Sequence, residues 1–169
     1  MQLLHYTDQP VSWDRDRIYL QDFPRQFGKP EGLWVSVAGE DDWPSWCQEN
    51  DYGIYSLAHV SEVTLTPCAQ ILFLSTAQQL LDFHSRYAVQ TEFERAMVGL
   101  LPDEFLVRQR PIDWRTVASD YEGIVIAPYQ WDLRLMGPAW YYTIDCSSGC
   151  IWSMRAIASF SAHTVAEKS

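Results

Sequence analysis

The clearest alternation of apolar and polar positions along the chain is LWVSV, residues 33–37. An extended backbone there puts Leu33, Val35 and Val37 on one face and Trp34 and Ser36 on the other. The first face reads as core, and the mixed second face as the wall of a cleft. QLLHYT (2–7), closed by DQP, predicts a shorter strand in which His5 shares a face with Leu3 and Thr7 while Leu4 and Tyr6 look the other way. HVSEVTLTP (59–67) and QILFLS (70–75) continue the extended pattern, with Pro67 between them.

Helical spacing takes over next. TAQQLLDFHSRYAV follows Ser75 and keeps Leu80, Leu81, Phe83 and Tyr87 near one stripe. TEFERAMVGLL reads as helix until Gly99–Pro102, and the rest of 91–111 has no clear period. Asp113 caps WRTVASDY, which Gly123 terminates, and Asp42 caps a short helix with Pro44 in its first turn. IVIAP (124–128) and AWYYTIDC (139–146) predict strands, SSG a turn, and CIW (150–152) a return to extended structure, with a frayed end after about Phe160.

Residues 8–31 are rich in Pro, Asp and Arg, and read as a long loop. Loops of that length without structure of their own commonly serve binding, so 8–31 is the expected active-site loop. No repeat or linker interrupts residues 1–169, which predicts a single α+β domain with strands at both ends and a mixed or antiparallel sheet flanked by short helices.

Composition narrows the function classes. The formal net charge is -10, from 22 acidic and 12 basic side chains, which disfavours binding along a nucleic-acid backbone. RQRPIDWR (108–115) is the one basic run, and it reads as a solvated loop before a helix. No apolar run reaches the ~20 residues of a membrane span, and MQLLHYTDQP lacks the pattern of a secretory signal, so the cytoplasm is the expected compartment. Cys47, Cys68, Cys146 and Cys150 read as buried thiols; a 146–150 disulfide requires the SSG turn to bring those two side chains together.

Several motifs are missing: the dinucleotide-binding G-x-G-x-x-G, the P-loop, H-E-x-x-H and G-x-S-x-G. What remains as candidate chemistry is His5 on the first strand, the Trp34/Ser36 face of the second, and two late carboxylates. Glu122 stands at a helix-to-strand junction in DYEGIVIAP. Asp145 stands in YYTIDCSSGCIW, after Trp140, Tyr141 and Tyr142. A flat indole stacks on planar heterocycles, and a carboxylate steadies positive charge developing on a sugar.

His5-x-Thr7 on one strand, then Gly32, Trp34 and Ser36 on the next, then a late carboxylate, resembles the His-Tyr-Glu branch of the ADP-ribosyltransferase-like superfamily. That resemblance implies a split sheet with NAD, as substrate, in a cleft between the first two strands. His5, Tyr6, Thr7, Gly32, Trp34, Ser36 and Tyr142 would contact NAD, with Trp34 standing where that branch usually has tyrosine. Asp145, or else Glu122, would polarise the ribose while nicotinamide leaves and a macromolecular acceptor attacks. A small acidic transferase of this kind resembles the toxins and phage effectors used in conflicts between phages, bacteria and their competitors. The rival expectation is an inactive acidic interaction or inhibitor protein anchored by its aromatic residues. A metal site at Glu40, Asp41 and Asp42 is disfavoured, because adjacent residues do not readily face one ion.

Overall fold

The computed structural model describes residues 1–163, and its strands form one seven-stranded sheet. In chain order the strands are β1 (Leu3–Thr7), β2 (Leu33–Val37), β3 (His59–Leu65), β4 (Ile71–Leu74), β5 (Gly123–Ile126), β6 (Ser148–Ile151) and β7 (Ile157–Ala162). Their spatial order is β4-β5-β6-β2-β1-β3-β7, and every neighbouring pair is antiparallel except β4–β5. The helices are α1 (Trp43–Glu49), α2 (Ala77–Tyr87), α3 (Glu92–Met97), α4 (Asp103–Arg108), α5 (Trp114–Asp120) and α6 (Trp131–Met136). The parallel β4–β5 pair is the one that needs a long connection, and α2 to α5 supply it. The result is an α+β domain with a mixed sheet flanked by helices.

An apolar core forms on each face of the sheet. On one, Ile124, Ile126, Cys150 and Trp152 pack against Leu80, Phe83, Trp114, Val117 and Trp140 of the helical layer. On the other, Leu3, Leu33, Val35, Val125 and Ile151 pack with Met154 and Ile157, and Trp13 and Tyr19 of the 8–31 segment lie against them. Each large side chain so buried contributes ~1.5–3 kcal/mol. The 8–31 segment is therefore a strap that lies on the second face at Trp13 and Tyr19 and then passes to the helical layer, where Phe23 and Gly28 meet Arg115 and Trp114. It is pinned by a bridge between Ile18 and Ser153 and by a hydrogen bond from Trp114 Nε1 to the Gly28 carbonyl (2.9 Å).

The seam between β1 and β2 is the feature that positions a site. β1 follows β3 through five paired positions, Leu3↔Val63 to Thr7↔His59. β2 follows β6 from Leu33↔Ile151 to Ser36↔Ser148. Between them only Leu3↔Val37 and Leu4↔Ser36 are paired, so the two strands part beyond Leu4.

Several expectations need correction. Residues 139–146 are not a strand: Ala139–Thr143 is a 3-10 turn after Pro138. Alternation would have sent Trp140 and Tyr141 to opposite faces. The turn instead buries both, with Trp140 Nε1 donating to His84 Nδ1 (3.2 Å) and the Gln130 amide donating to the Tyr141 hydroxyl (2.8 Å). Ser148 and Gly149 of SSG belong to β6, not to a turn, and Cys146 and Cys150 are free thiols, as are Cys47 and Cys68, and of the four expected to be buried Cys68 is exposed, standing in the turn between β3 and β4. The end after Phe160 is ladder as far as Ala162; its Ala and Ser residues carry no apolar face, and pairing with β3 holds it instead. Residues beyond 163, also expected to be frayed, lie outside the described residues.

Candidate functional site

Where β1 and β2 diverge, a recess of about 340 Å³ opens, lined by His5, Tyr6, Trp34, Ser36 and Asp145 among others. That volume is within the ~300–1,000 Å³ typical of ligand pockets, at its small end.

His5 bridges the parted seam. Its Nδ1 lies 2.7 Å from the Trp34 carbonyl oxygen, in the gap where a continuing ladder would pair. A carbonyl only accepts, so Nδ1 carries the hydrogen and the neutral ring keeps Nε2 as an acceptor. Burial lowers the pKa of His5, which favours that neutral form at pH 7. Phe160 of β7 packs on the ring at 5.8 Å.

Trp34 packs partly into the helical-side core, and the Lys29 ammonium lies 5.4 Å from its ring centroid. Lys29 is the contribution of the 8–31 strap to the recess. Asp145 follows the 3-10 turn and is gripped from two sides. Arg134 Nη2 donates to its Oδ1 (3.1 Å), and Lys29 Nζ is 4.0 Å from Oδ2. Arg134 is itself fixed through Nη1, which donates to the Tyr129 hydroxyl (2.9 Å) and the Ile144 carbonyl (3.2 Å). Asp145 is thus a positioned carboxylate with about a quarter of its side chain exposed.

Ser36 lines the recess, but its Oγ accepts the Trp43 amide (2.8 Å), one of the N-terminal amides of α1 that no turn of helix can satisfy. Asp42 caps the same helix by accepting from Ser45 N (2.9 Å). Tyr6 stays protonated, since burial and the Asp42 charge both raise its pKa.

Four expected site residues lie elsewhere. Thr7 turns its hydroxyl to the Gln9 carbonyl (2.7 Å). Gly32 is a spacing residue: a Cβ there would sit 2.5 Å from Cys150 Sγ and 2.7 Å from the Ile151 carbonyl. Tyr142 faces outward, half exposed, with the Arg134 guanidinium 5.3 Å from its ring. Glu122 is structural, accepting from the Gln70 amide (3.0 Å) and the Ser153 hydroxyl (3.0 Å) and tying β4, β5 and the segment after β6 together. Asp145 is the late carboxylate of the recess.

Lys29, Trp43, Ser56, Cys146 and Ser148 also line it and had no signal as site residues in the sequence, apart from Trp43 as one edge of a short helix. Cys146 is no nucleophile at neutral pH, because burial pushes its thiol up to about 12. The basic run is spent internally: Arg108 donates to the Gly137 and Leu135 carbonyls, Arg110 forms a two-pronged pair with Glu94, and Arg115 pairs with Asp113. Asp41 accepts from Trp131 Nε1 (3.0 Å), and no group of three or more His, Cys, Asp or Glu among the described residues is placed to hold a metal ion. Nor is any helix among them long and apolar enough to cross a membrane.

Compared with known proteins, the chain matches no family model, no curated protein and no solved structure.

Proposed function

We propose that the recess binds the nicotinamide-ribose half of NAD and that the protein transfers ADP-ribose to a macromolecular acceptor. The observation that carries this reading is the meeting of His5, Trp34 and Asp145 in one cavity at an opened β1–β2 seam. In this reading the nicotinamide ring stacks on Trp34, displacing Lys29 toward the NAD pyrophosphate. His5 Nε2 accepts from a ribose hydroxyl, and Asp145 faces the anomeric carbon. The bond from that carbon to the nicotinamide nitrogen breaks with its electron pair leaving on nicotinamide. The acceptor's lone pair then forms the new bond, and its proton passes to Asp145 or to water. Asp145 stabilises the positive charge that develops between those events, which is a gain made only in the transition state.

One observation favours a second reading, an inactive interaction protein. Asp145 already faces two cations, Arg134 and Lys29, which offset part of the charge that catalysis would use. A single experiment separates the two. Purified protein is incubated with labelled NAD, with and without cell extract, and both nicotinamide release and label on macromolecules are followed. Transfer predicts release by wild type and its loss in Asp145→Asn and Trp34→Ala variants that remain folded. Wild type that releases no nicotinamide under either condition refutes the enzyme and leaves the interaction protein.

A further inference from the structure

An aromatic strip leads out of the recess onto the surface. Trp43 lines the cavity and stacks on Trp46 at 5.1 Å with 11° between planes; Tyr52 meets Trp46 edge-on at 5.5 Å. Tyr52, Ile54 and Tyr55 beyond it are 57%, 46% and 73% exposed, so the strip ends in solvent with apolar area uncovered. Exposed apolar area next to a cavity marks a docking surface more often than chance scatter does.

Charge decides what docks. No Lys or Arg occurs between Lys29 and Arg86, whereas Glu40, Asp41, Asp42, Glu49 and Asp51 flank the aromatic residues. None of the five is in an ion pair among the described residues. Partly buried indoles beside an exposed phenol, within an unneutralised negative field, suit a cation that is also flat. Guanidinium stacks on aromatic faces and pairs with carboxylates, and it sheds water more readily than ammonium. The same field repels phosphate, so a nucleic acid is the wrong partner here.

We infer that the Trp43–Trp46–Tyr52 strip docks an arginine-bearing segment of a protein partner, and that this segment is the acceptor delivered to the recess. The acceptor role rests on the transferase reading; the docking does not.

The test uses the full chain and short peptides of repeated Arg-Ala, Lys-Ala and Glu-Ala, titrated calorimetrically, with single-stranded RNA as a further ligand. The Arg-Ala peptide should bind, more weakly as salt rises, and more tightly than Lys-Ala. Reversing two exposed charges, Glu49→Lys with Asp51→Lys, should weaken it roughly tenfold. Trp46→Leu, checked for native circular dichroism, should cost the Arg-Ala peptide more affinity than the Lys-Ala peptide. Equal binding of Glu-Ala, preference for RNA, or indifference to the charge reversal would overturn the docking. Nicotinamide release without Arg-Ala binding removes the docking and leaves the enzyme; Arg-Ala binding without nicotinamide release does the reverse.

Discussion

Gly32 stands at the entry to β2, one residue before the strand begins, and its replacement by alanine separates a spacing role from ligand contact. The added Cβ would lie 2.5 Å from Cys150 Sγ, 2.7 Å from the Ile151 carbonyl oxygen and 3.0 Å from the Ile151 carbonyl carbon. Real Cβ contacts are not that short, so β2 must move away from β6. Overpacking of this kind costs ~1–3 kcal/mol. Taking ~2 kcal/mol, and ~2–4 °C of Tm per kcal/mol for a chain of this size, Gly32→Ala should melt about 6 °C below wild type. Cys150→Ala removes the sulfur but leaves the backbone oxygen in place, so the double variant should recover only part of the loss relative to Cys150→Ala alone. Thermal melts followed by near-ultraviolet circular dichroism, which reports the packed tryptophans, measure both. An unchanged Tm in Gly32→Ala would refute the contact geometry. Full recovery in the double variant would show that the backbone approach is not the obstacle.

Other substitutions probe the scaffold. Glu94, with 7% of its side chain exposed, is held by Arg110 at 2.6 and 2.9 Å, and that pairing lowers its pKa. Because Arg110 is one-third exposed, Glu94→Gln should cost about 2 kcal/mol in urea unfolding, below the ~3–5 kcal/mol of a fully buried broken pair. A loss under a few tenths would contradict the pairing. His84 donates from Nε2 to the Val107 carbonyl (2.9 Å) and accepts from Trp140, and burial lowers its pKa, as it does that of His5. A lowered folded pKa means the unfolded chain binds more protons, so the stability these groups contribute is complete above about pH 6.5 and falls on acidification below it. Urea unfolding between about pH 5 and 7 should show a slope of up to ~1.4 kcal/mol per pH unit for each histidine, reduced in His84→Ala. A slope unchanged by that substitution would sink the assignment.

Sequence periodicity located most of the scaffold, because the strands near the seam carry their own apolar alternation and the helices their own caps. Asp42 and Asp113 accept from amides in the first turns of α1 and α5, and the residue counts between cap and breaker set the lengths. What periodicity misread was AWYYT, since three consecutive aromatic residues suit a strand locally and only the core decides that two of them enter it. The α6 helix was hidden for a related reason: none of its residues is fully buried, so no apolar stripe marks it. At the site, Trp34 and Ser36 were legible through β2 because strand alternation puts them on one face, whereas His5 and Tyr6, which alternation sends to opposite faces of β1, both line the recess at the opened seam. Asp145 was preferred to Glu122 only for the aromatic residues before it, since one carboxylate near a strand looks like another until the sheet order places β6 beside β2 and leaves Glu122 bonded to Gln70 and Ser153. Lys29 had no local pattern at all; it reaches the recess through the path of the strap.

The proposed function gives His5 a job on each of its two nitrogens, and a single substitution can take away one of them. Nδ1 donates to the Trp34 carbonyl and so satisfies a backbone acceptor that the parting of β1 and β2 leaves without a ladder partner. Nε2 is the atom available to a ligand. Asparagine places an amide nitrogen close to where Nδ1 stands and has nothing in the position of Nε2, so His5→Asn should keep the seam bond and lose the ligand contact. His5→Ala loses both. An unmade bond to a backbone carbonyl costs ~1–3 kcal/mol when buried, and less here because the recess admits water, so ~1 kcal/mol is expected for His5→Ala and near zero for His5→Asn. Both should abolish nicotinamide release equally if Nε2 holds the ribose. If His5→Asn instead kept full turnover, the imidazole would be a strut between two strands and the ribose contact would have to come from another group; if it were as unstable as His5→Ala, the Nδ1 bond would not be what holds the seam.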